Sequence, residues 1–243
     1  AQILHLPTIC IPHGQNIYIN YDVNGHLRNL FRKTGLWPDF SDRNEFTTYV
    51  VQTERHRKQH IDWGMDPDKV SAWGSLRFDP LWIVENLSLY PSIDIWGDTT
   101  SPTATAIVFF LPHWRYNVDE LATLGLLKRI LDYPENLMII KGHTRGDRLS
   151  ETMVEQLKSY ENIQINSTHE SSPLIEWADI VINFGSSIAL ESIVSRKHVI
   201  YPSFLHSNET IFDNTSSVKR CRSPEEVITI IQKIRQNELS FPP

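Results

Sequence analysis

Lysine, histidine and arginine fall together in Lys141-Gly-His143-Thr-Arg145, three side chains able to hold an anion and to move a proton. They follow the strand-like run Leu137-Met-Ile-Ile140, and so stand where open α/β sheets present ligands. Phosphate contact and general acid-base work both suit this cluster, as does a plain polar turn. A second set of polar atoms lies at Gly185-Ser186-Ser187, between the apolar run Asp179 to Phe184 and a segment of helical character leading to Val199-Ile-Tyr201. Glycine permits a tight exit from a strand, and either serine can cap the helix. The backbone N–H groups of such a turn, with the helix dipole, stabilise an anion. The same residues also fit an ordinary crossover that holds nothing.

Glu191 follows Ser187 by four positions, one too many for a capping box. Its carboxylate falls one turn into the helix, where it suits the two hydroxyls of a ribose or a simple exposed position. His13, in Pro12-His13-Gly14, occupies the end of the first strand-like run and reads either as a base for a hydroxyl or as a solvated turn residue. Arg115 and His113, in Pro112-His-Trp-Arg115, follow another strand and could meet a diphosphate. Arg77 reads as an anion contact or as the partner of Asp79. No metal-ligand spacing, Walker loop, G-x-G-x-x-G or G-x-S-x-G pattern occurs, which removes the commonest triphosphatase, nicotinamide and hydrolase readings.

The elements that must position these groups alternate from Ala104 onward. Strands are predicted at Thr105 to Leu111, Leu137 to Ile140, Ile163 to Asn166, Asp179 to Phe184, Val199 to Tyr201 and near Val218. Helices are predicted at Val118 to Leu131, Glu151 to Tyr160, Pro173 to Trp177, the segment after Gly185, and the serine-capped stretch after Ser223. This interleaving implies a doubly wound parallel sheet. Before it come a strand at Ile3 to Ile11, a mixed polar loop, a strand at Thr48 to Gln52, a basic helix at Glu54 to Trp63 and the segment Val70 to Asp79. The chain thus divides into an N-terminal α/β domain over 1–90, a Pro-, Ser-, Thr- and Asp-rich linker over 91–102, and a C-terminal α/β domain over 103–243.

With 243 residues and a formal charge of -6, the protein has a sizeable core and no basic excess for nucleic acid. Two distant cysteines, Cys10 and Cys221, point to a reducing cytoplasm. No apolar run is long enough to span a membrane and no signal peptide is evident; the start on a strand without methionine suggests that an upstream part is missing.

In chain order these pieces resemble a two-domain nucleotide-sugar transferase of the GT-B architecture. Pro12-His13-Gly14 is similar to the His-Gly turn of CDP-glycerol glycerophosphotransferases and related surface-polysaccharide enzymes. Val50-Val-Gln-Thr-Glu54, a helix, and then Asp68 to Asp79 resemble the strand, helix and Gly-Ser-x-Arg passage of that family. Ile140-Lys-Gly-His143 is similar to its K-x-HP turn, with Thr144 in place of proline, and Trp177 to Glu191 resembles its nucleotide-binding helix. Asn183 stands where aspartate is common, and Ser195-Arg-Lys-His198 replaces the usual Gly-x-Pro.

The resemblance implies two Rossmann-like domains, the first incomplete in this chain. It implies a metal- and cofactor-independent transferase that moves a sugar or polyol phosphate from a nucleotide-sugar or CDP-polyol donor to a glycan or lipid-linked acceptor of surface or capsular polysaccharide. His13 and His143 would be catalytic, with His13 deprotonating the acceptor. Gly185, Ser186, Ser187, Glu191, Lys141, Arg145 and Arg115 would hold the donor nucleotide, Glu191 by its ribose. Such a role fits the cytoplasm, with peripheral association at the inner face of the membrane. A nucleotide-sugar 2-epimerase and a non-catalytic nucleotide-sugar-binding subunit are the alternatives.

Overall fold

The computed structural model describes the chain apart from residues 1–5, 13–24, 36–38, 94–95, 97–103, 115, 144–147, 166–167, 209, 214 and 241–243, and the side chains of 25–27. Two compact units divide between Trp82 and Ile83. The division falls inside a helix, Pro80–Ser88, rather than in the 91–102 stretch read as a linker. Ile93 and Trp96 of that stretch pack on the second unit, Trp96 stacking on Trp177 at 5.4 Å.

The first unit carries a parallel sheet of β1 (Ile9–Cys10), β2 (Thr48–Val51) and β3 (Val70–Ala72), in that spatial order. The stretch expected to be a polar loop contains helix α1, Gly25–Thr34. Leu27, Leu30, Phe31 and Thr34 have helical spacing there, which the many polar neighbours obscure. Helix α2, Glu54–Asp62, is capped by Thr53, whose side chain accepts from the His56 N–H. Its inner face carries His56 and His60, both buried. The His60 ring accepts at Nε2 from Arg43 at 3.4 Å and donates at Nδ1 to the His56 carbonyl at 2.7 Å. Helix α3 is Pro80–Ser88; Asp79 caps it, accepting from the Leu81 and Trp82 N–H groups at 2.9 and 3.2 Å, so its carboxylate serves the helix.

The second unit is a doubly wound sheet of six parallel strands in the order β6-β5-β4-β7-β8-β9. The strands are β4 (Thr105–Phe110), β5 (Asn136–Lys141), β6 (Ile163–Gln164), β7 (Ile180–Ile182), β8 (His198–Pro202) and β9 (Lys219–Cys221). The helices are α4 (Glu120–Leu131), α5 (Glu151–Leu157), α6 (Ser171–Trp177), α7 (Ser187–Val194) and α8 (Pro224–Arg235). Alternate residues of β4 serve opposite faces: Ile107 and Phe109 pack with α4, α5 and α8, while Val108 and Phe110 pack with α6. Strands covered on both faces are continuous apolar runs for this reason. Helix α4 starts at Glu120 and not at Val118, because Asp119 caps it and Val118 forms an antiparallel bridge with His206. At the amino end of the sheet, Arg235 of α8 donates to Thr105 Oγ1 at 2.9 Å, to Glu135 and to Asn136, tying the last helix to β4 and β5.

This strand order fixes where a ligand can sit. From β4 the chain winds outward through β5 and β6, then returns to place β7 on the other side of β4 and continues to β8 and β9. The connections leaving β4 and β7 therefore part in opposite directions and leave a crevice at the carboxyl ends of those strands.

Candidate functional site

At the end of β7 the turn is built around Asn183, a side chain only 3% exposed. Its Oδ1 accepts from the Gly185 and Ser186 N–H groups at 2.9 and 2.8 Å, and its Nδ2 donates to Ser186 Oγ at 3.0 Å. Ser186 Oγ in turn accepts from the Ile188 N–H at 3.3 Å and caps α7. Two of the backbone donors that sequence reasoning directed at a ligand are thus committed inside the turn. Asn183 offers Ser186 a donor that an aspartate here would lack. Gly185 has φ +88, and a Cβ on it would lie 2.9 Å from Thr210 Cγ2 and 3.4 Å from Phe212 Cδ2. The segment after β8 therefore packs directly on Gly185, which is buried. What the turn offers outward is the exposed Ser186, the half-buried Ser187, the Ser187 N–H that neither Asn183 nor Ser186 Oγ takes up, and the positive end of the α7 dipole.

Glu191 is 5% exposed, not the exposed helix acid that one sequence reading allowed. Ser172 Oγ of α6 donates to its Oε1 at 2.7 Å, and Asn86 Nδ2 of α3 donates to Ser172 Oγ at 3.1 Å.

His143 lies past the end of β5, beyond half-buried Lys141, and stacks on His113 with ring centres 5.4 Å apart and planes 30° from parallel. His113 follows β4 and meets Tyr116 edge-on at 5.1 Å. Phe184, after β7, meets Phe109 of β4 edge-on at 5.7 Å. The cluster His113, Tyr116 and His143 thus belongs to the loops after β4 and β5, and the serine turn to the neighbouring strand β7. His13, Gly14, Arg115 and Arg145 lie outside the described residues.

The segment after β8 contributes a residue that sequence reasoning missed. His206 bridges to Val118, and the loops around both are joined by the Asp119 N–H on the Leu205 carbonyl at 2.8 Å and Asn117 Nδ2 on Asn208 Oδ1 at 3.3 Å. Asn208 also donates to the Tyr116 carbonyl. His206 Nδ1 accepts from the Asn208 N–H at 3.1 Å, while its buried Nε2 has no hydrogen-bond partner among the described residues. With Nδ1 an acceptor, the neutral ring carries its proton on Nε2. Burial pushes the His206 pKa below its ordinary value, which keeps the ring neutral. Its ring lies 6.1 Å from Phe184 and 5.4 Å from Tyr201, beside the serine turn. A single histidine in an irregular stretch carries no local signal for this placement.

Among the described residues, no three His, Cys, Asp or Glu side chains gather as a metal site, and no helix is long and apolar enough to cross a membrane. The arrangement can hold an anion at the serine turn, supply cationic and imidazole groups from the loops after β4 and β5, and present a buried carboxylate one turn into α7.

No protein-family model matches the chain, and no curated sequence matches it. Solved structures do. The UDP-GlcNAc 2-epimerase of Neisseria meningitidis, bound to UDP-GlcNAc, is similar with TM-score 0.61 and 15% identity, over 99% of this chain and 66% of the other. MnaA of S. aureus with UDP gives 0.57 and 12%, over 98% and 61%. The wall teichoic acid polymerase TagF, as a variant soaked with CDPG, gives 0.51 and 13%, over 96% and 54%. The chain spans less than two thirds of the length of each of these proteins. Identities this low speak to architecture alone: with its parallel sheets, the fold is α/β and GT-B-like.

Proposed function

We propose that this chain belongs to a transferase that moves a sugar or polyol phosphate from a nucleotide-activated donor to a surface-polysaccharide acceptor, with the donor nucleotide held by its second unit. One observation carries the reading: at the carboxyl ends of β5, β4 and β7 the fold places the His143–His113 pair, the Ser186-Ser187 helix start and Glu191. In this reading the donor's phosphates lie against Ser186, Ser187 and the α7 dipole, with Lys141, Arg115 and Arg145 offsetting their charge. Glu191 accepts from the ribose hydroxyls. The acceptor hydroxyl attacks the anomeric carbon or the phosphorus; His13 takes its proton, and the bond to the leaving nucleoside phosphate breaks with the electron pair on that oxygen. His143 steadies the charge that develops there. The Gly185 backbone has a supporting part, holding the turn instead of contacting the donor.

Isothermal titration with UDP, CDP, CMP and GDP tests the donor site, and binding to none of them refutes the reading. His13→Ala and His143→Ala then separate the classes. Loss of transfer with nucleotide affinity retained in the His13 variant supports catalysis, whereas unchanged transfer in both leaves a binding subunit. The 2-epimerase reading draws on the fold shared with the Neisseria enzyme. Conversion of UDP-GlcNAc to its 2-epimer without any acceptor would replace the transferase reading by that one.

A further inference from the structure

The loops after β4 and β8 meet although β7 lies between those strands in the sheet. Their contacts fall in antiparallel register: the Asp119 N–H donates to the Leu205 carbonyl at 2.8 Å, Val118 bridges to His206, and the Tyr116 carbonyl accepts from Asn208 Nδ2. The joined loops therefore pass the carboxyl end of β7. Phe184, whose ring centre is 6.1 Å from that of His206, and Gly185, on which Thr210 packs, lie against them.

Asn208 uses both ends of its amide in this clasp. Its Oδ1 accepts from Asn117 Nδ2 at 3.3 Å, while its Nδ2 donates to the carbonyl of the preceding residue, Tyr116. The Asn208 N–H donates to His206 Nδ1 at 3.1 Å, which fixes the backbone from which the side chain projects. Asn117 itself stands at φ 56, in the left-handed region where residues other than glycine are strained and asparagine is tolerated best. A strained residue persists where its surroundings hold it, and here a holding contact comes from another loop. From Asn117 and Tyr116 the hold passes to the site. The Tyr116 N–H donates to the His113 carbonyl at 2.9 Å, its ring meets His113 edge-on at 5.1 Å, and His113 stacks on His143 at 5.4 Å. Ordering a loop costs backbone entropy, which hydrogen bonds from a neighbouring loop help to offset.

We infer that Asn208 is a positioning residue of the donor site, holding the loop after β4 so that His113 and Tyr116 stand in place against His143 before a nucleotide arrives. The inference rests on the donor-nucleotide reading of the site. Asn208 acts through Tyr116 and Asn117, not on the ligand. The loop after β8 thereby joins those after β4, β5 and β7 in forming the site. A chain that loses the clasp must order the loop after β4 at the moment of binding, and its apparent affinity falls with the fraction of molecules already ordered.

Two measurements on the whole chain test it. Proton–carbon NMR spectra of the histidine rings, assigned by single histidine substitutions, report the stack, and isothermal titration with UDP, CDP, CMP and GDP reports affinity. Asn208→Ala should move the His113 and His143 signals while those of His56 and His60, buried in the first unit, stay in place. It should weaken whichever nucleotide binds wild type by about three- to tenfold, the worth of one or two hydrogen bonds. Asn208→Asp has the same size and keeps the acceptor for Asn117, but sets a carboxylate oxygen against the Tyr116 carbonyl, so it should move the same two signals. It is the variant read by NMR should Asn208→Ala fail to fold. Ser207→Ala, at an exposed position of the same loop, should change neither signals nor affinity. A purely structural role for Asn208 would lower the unfolding midpoint and leave native-state signals and affinity as they are. Unchanged His113 and His143 signals in the Asn208 variants, or undiminished affinity in Asn208→Ala, overturns this inference while leaving the nucleotide site intact. Failure of wild type to bind any of the four nucleotides overturns the functional reading and this inference together.

Discussion

Replacing Gly185 by alanine probes whether the serine turn is held from above by the segment after β8. Two independent costs add. At φ +88 an L-residue is in the left-handed region, worth about 1–2 kcal/mol relative to glycine. The new methyl would also sit 2.9 Å from Thr210 Cγ2 and 3.2 Å from Thr210 Cβ, distances at which something must shift. Overpacking of one methyl group in a tight site costs typically 1–3 kcal/mol. Their sum is about 2–5 kcal/mol, a large part of the stability of an ordinary domain. Urea titration followed by tryptophan fluorescence and far-ultraviolet circular dichroism measures it. Thr210→Ser removes the methyl group at the nearest contact but keeps Oγ1, which accepts from the Phe212 N–H at 3.2 Å. In the Gly185→Ala background it should restore about 1 kcal/mol or more, leaving the backbone part. A Gly185→Ala chain within about 0.5 kcal/mol of wild type, or a Thr210→Ser change that restores nothing, would refute the packing on which the turn's description depends.

Asn183→Ala removes three hydrogen bonds from a buried site and should cost about 2–4 kcal/mol, whereas Asn183→Asp keeps both acceptor contacts and should cost less than half as much; thermal denaturation of the two variants checks the order. Burial, aided by the neighbouring His60 and the Arg55 charge, lowers the His56 pKa to about 4, and burial lowers that of His60. Both stay neutral when folded but take up protons near pH 6.5 when unfolded, so stability is full above pH 6.5 and falls toward pH 4 by about 2–3 kcal/mol from His56 alone. Urea midpoints from pH 7.5 to 4.5 should show the fall, and His56→Asn should flatten it. Burial pushes the Cys221 thiol up to about 12, while Cys10 is only half-buried. Ellman's reagent should therefore titrate one thiol in the native chain and the second only on unfolding; equal rates for both would contradict the burial.

The β7 turn and α7 were legible in the sequence because their signals are local. A β-branched run, a glycine that must take positive φ and a serine that caps all act within a few residues. The inner strands β4, β5, β7 and β8 were legible for the same reason, since strands buried on both faces read as apolar runs. The Asp79-Pro80 start of α3 carries a recognisable cap, yet it directly follows a passage read for its arginine and was overlooked. The burial of Glu191 could not be read at all. Its partner is 19 positions away on another helix, and the residue fixing that partner is a further 86 away. His206 was hidden in the same manner, because contacts distant in sequence, with Val118 and Phe184 among them, set its place beside the serine turn. Residue types gave the chemistry, while contacts distant in sequence decided which atoms remain available for it.

The clamp of Arg235 on Thr105, Glu135 and Asn136 bears on how the protein is made. The first strand of the second sheet leaves the ribosome long before the helix that secures its amino end, with 130 positions between Thr105 and Arg235. At about 5–20 residues per second the delay is roughly 7–26 s, far longer than helix formation, strand pairing or hydrophobic collapse takes. During that interval β4 and β5 lack the α8 face of their core, and Val227, Ile228, Ile231 and Ile234 are the residues that complete it. A nascent chain arrested before α8 should therefore be protease-sensitive throughout the second sheet, and release of the last helix is the event that commits the unit to its native form.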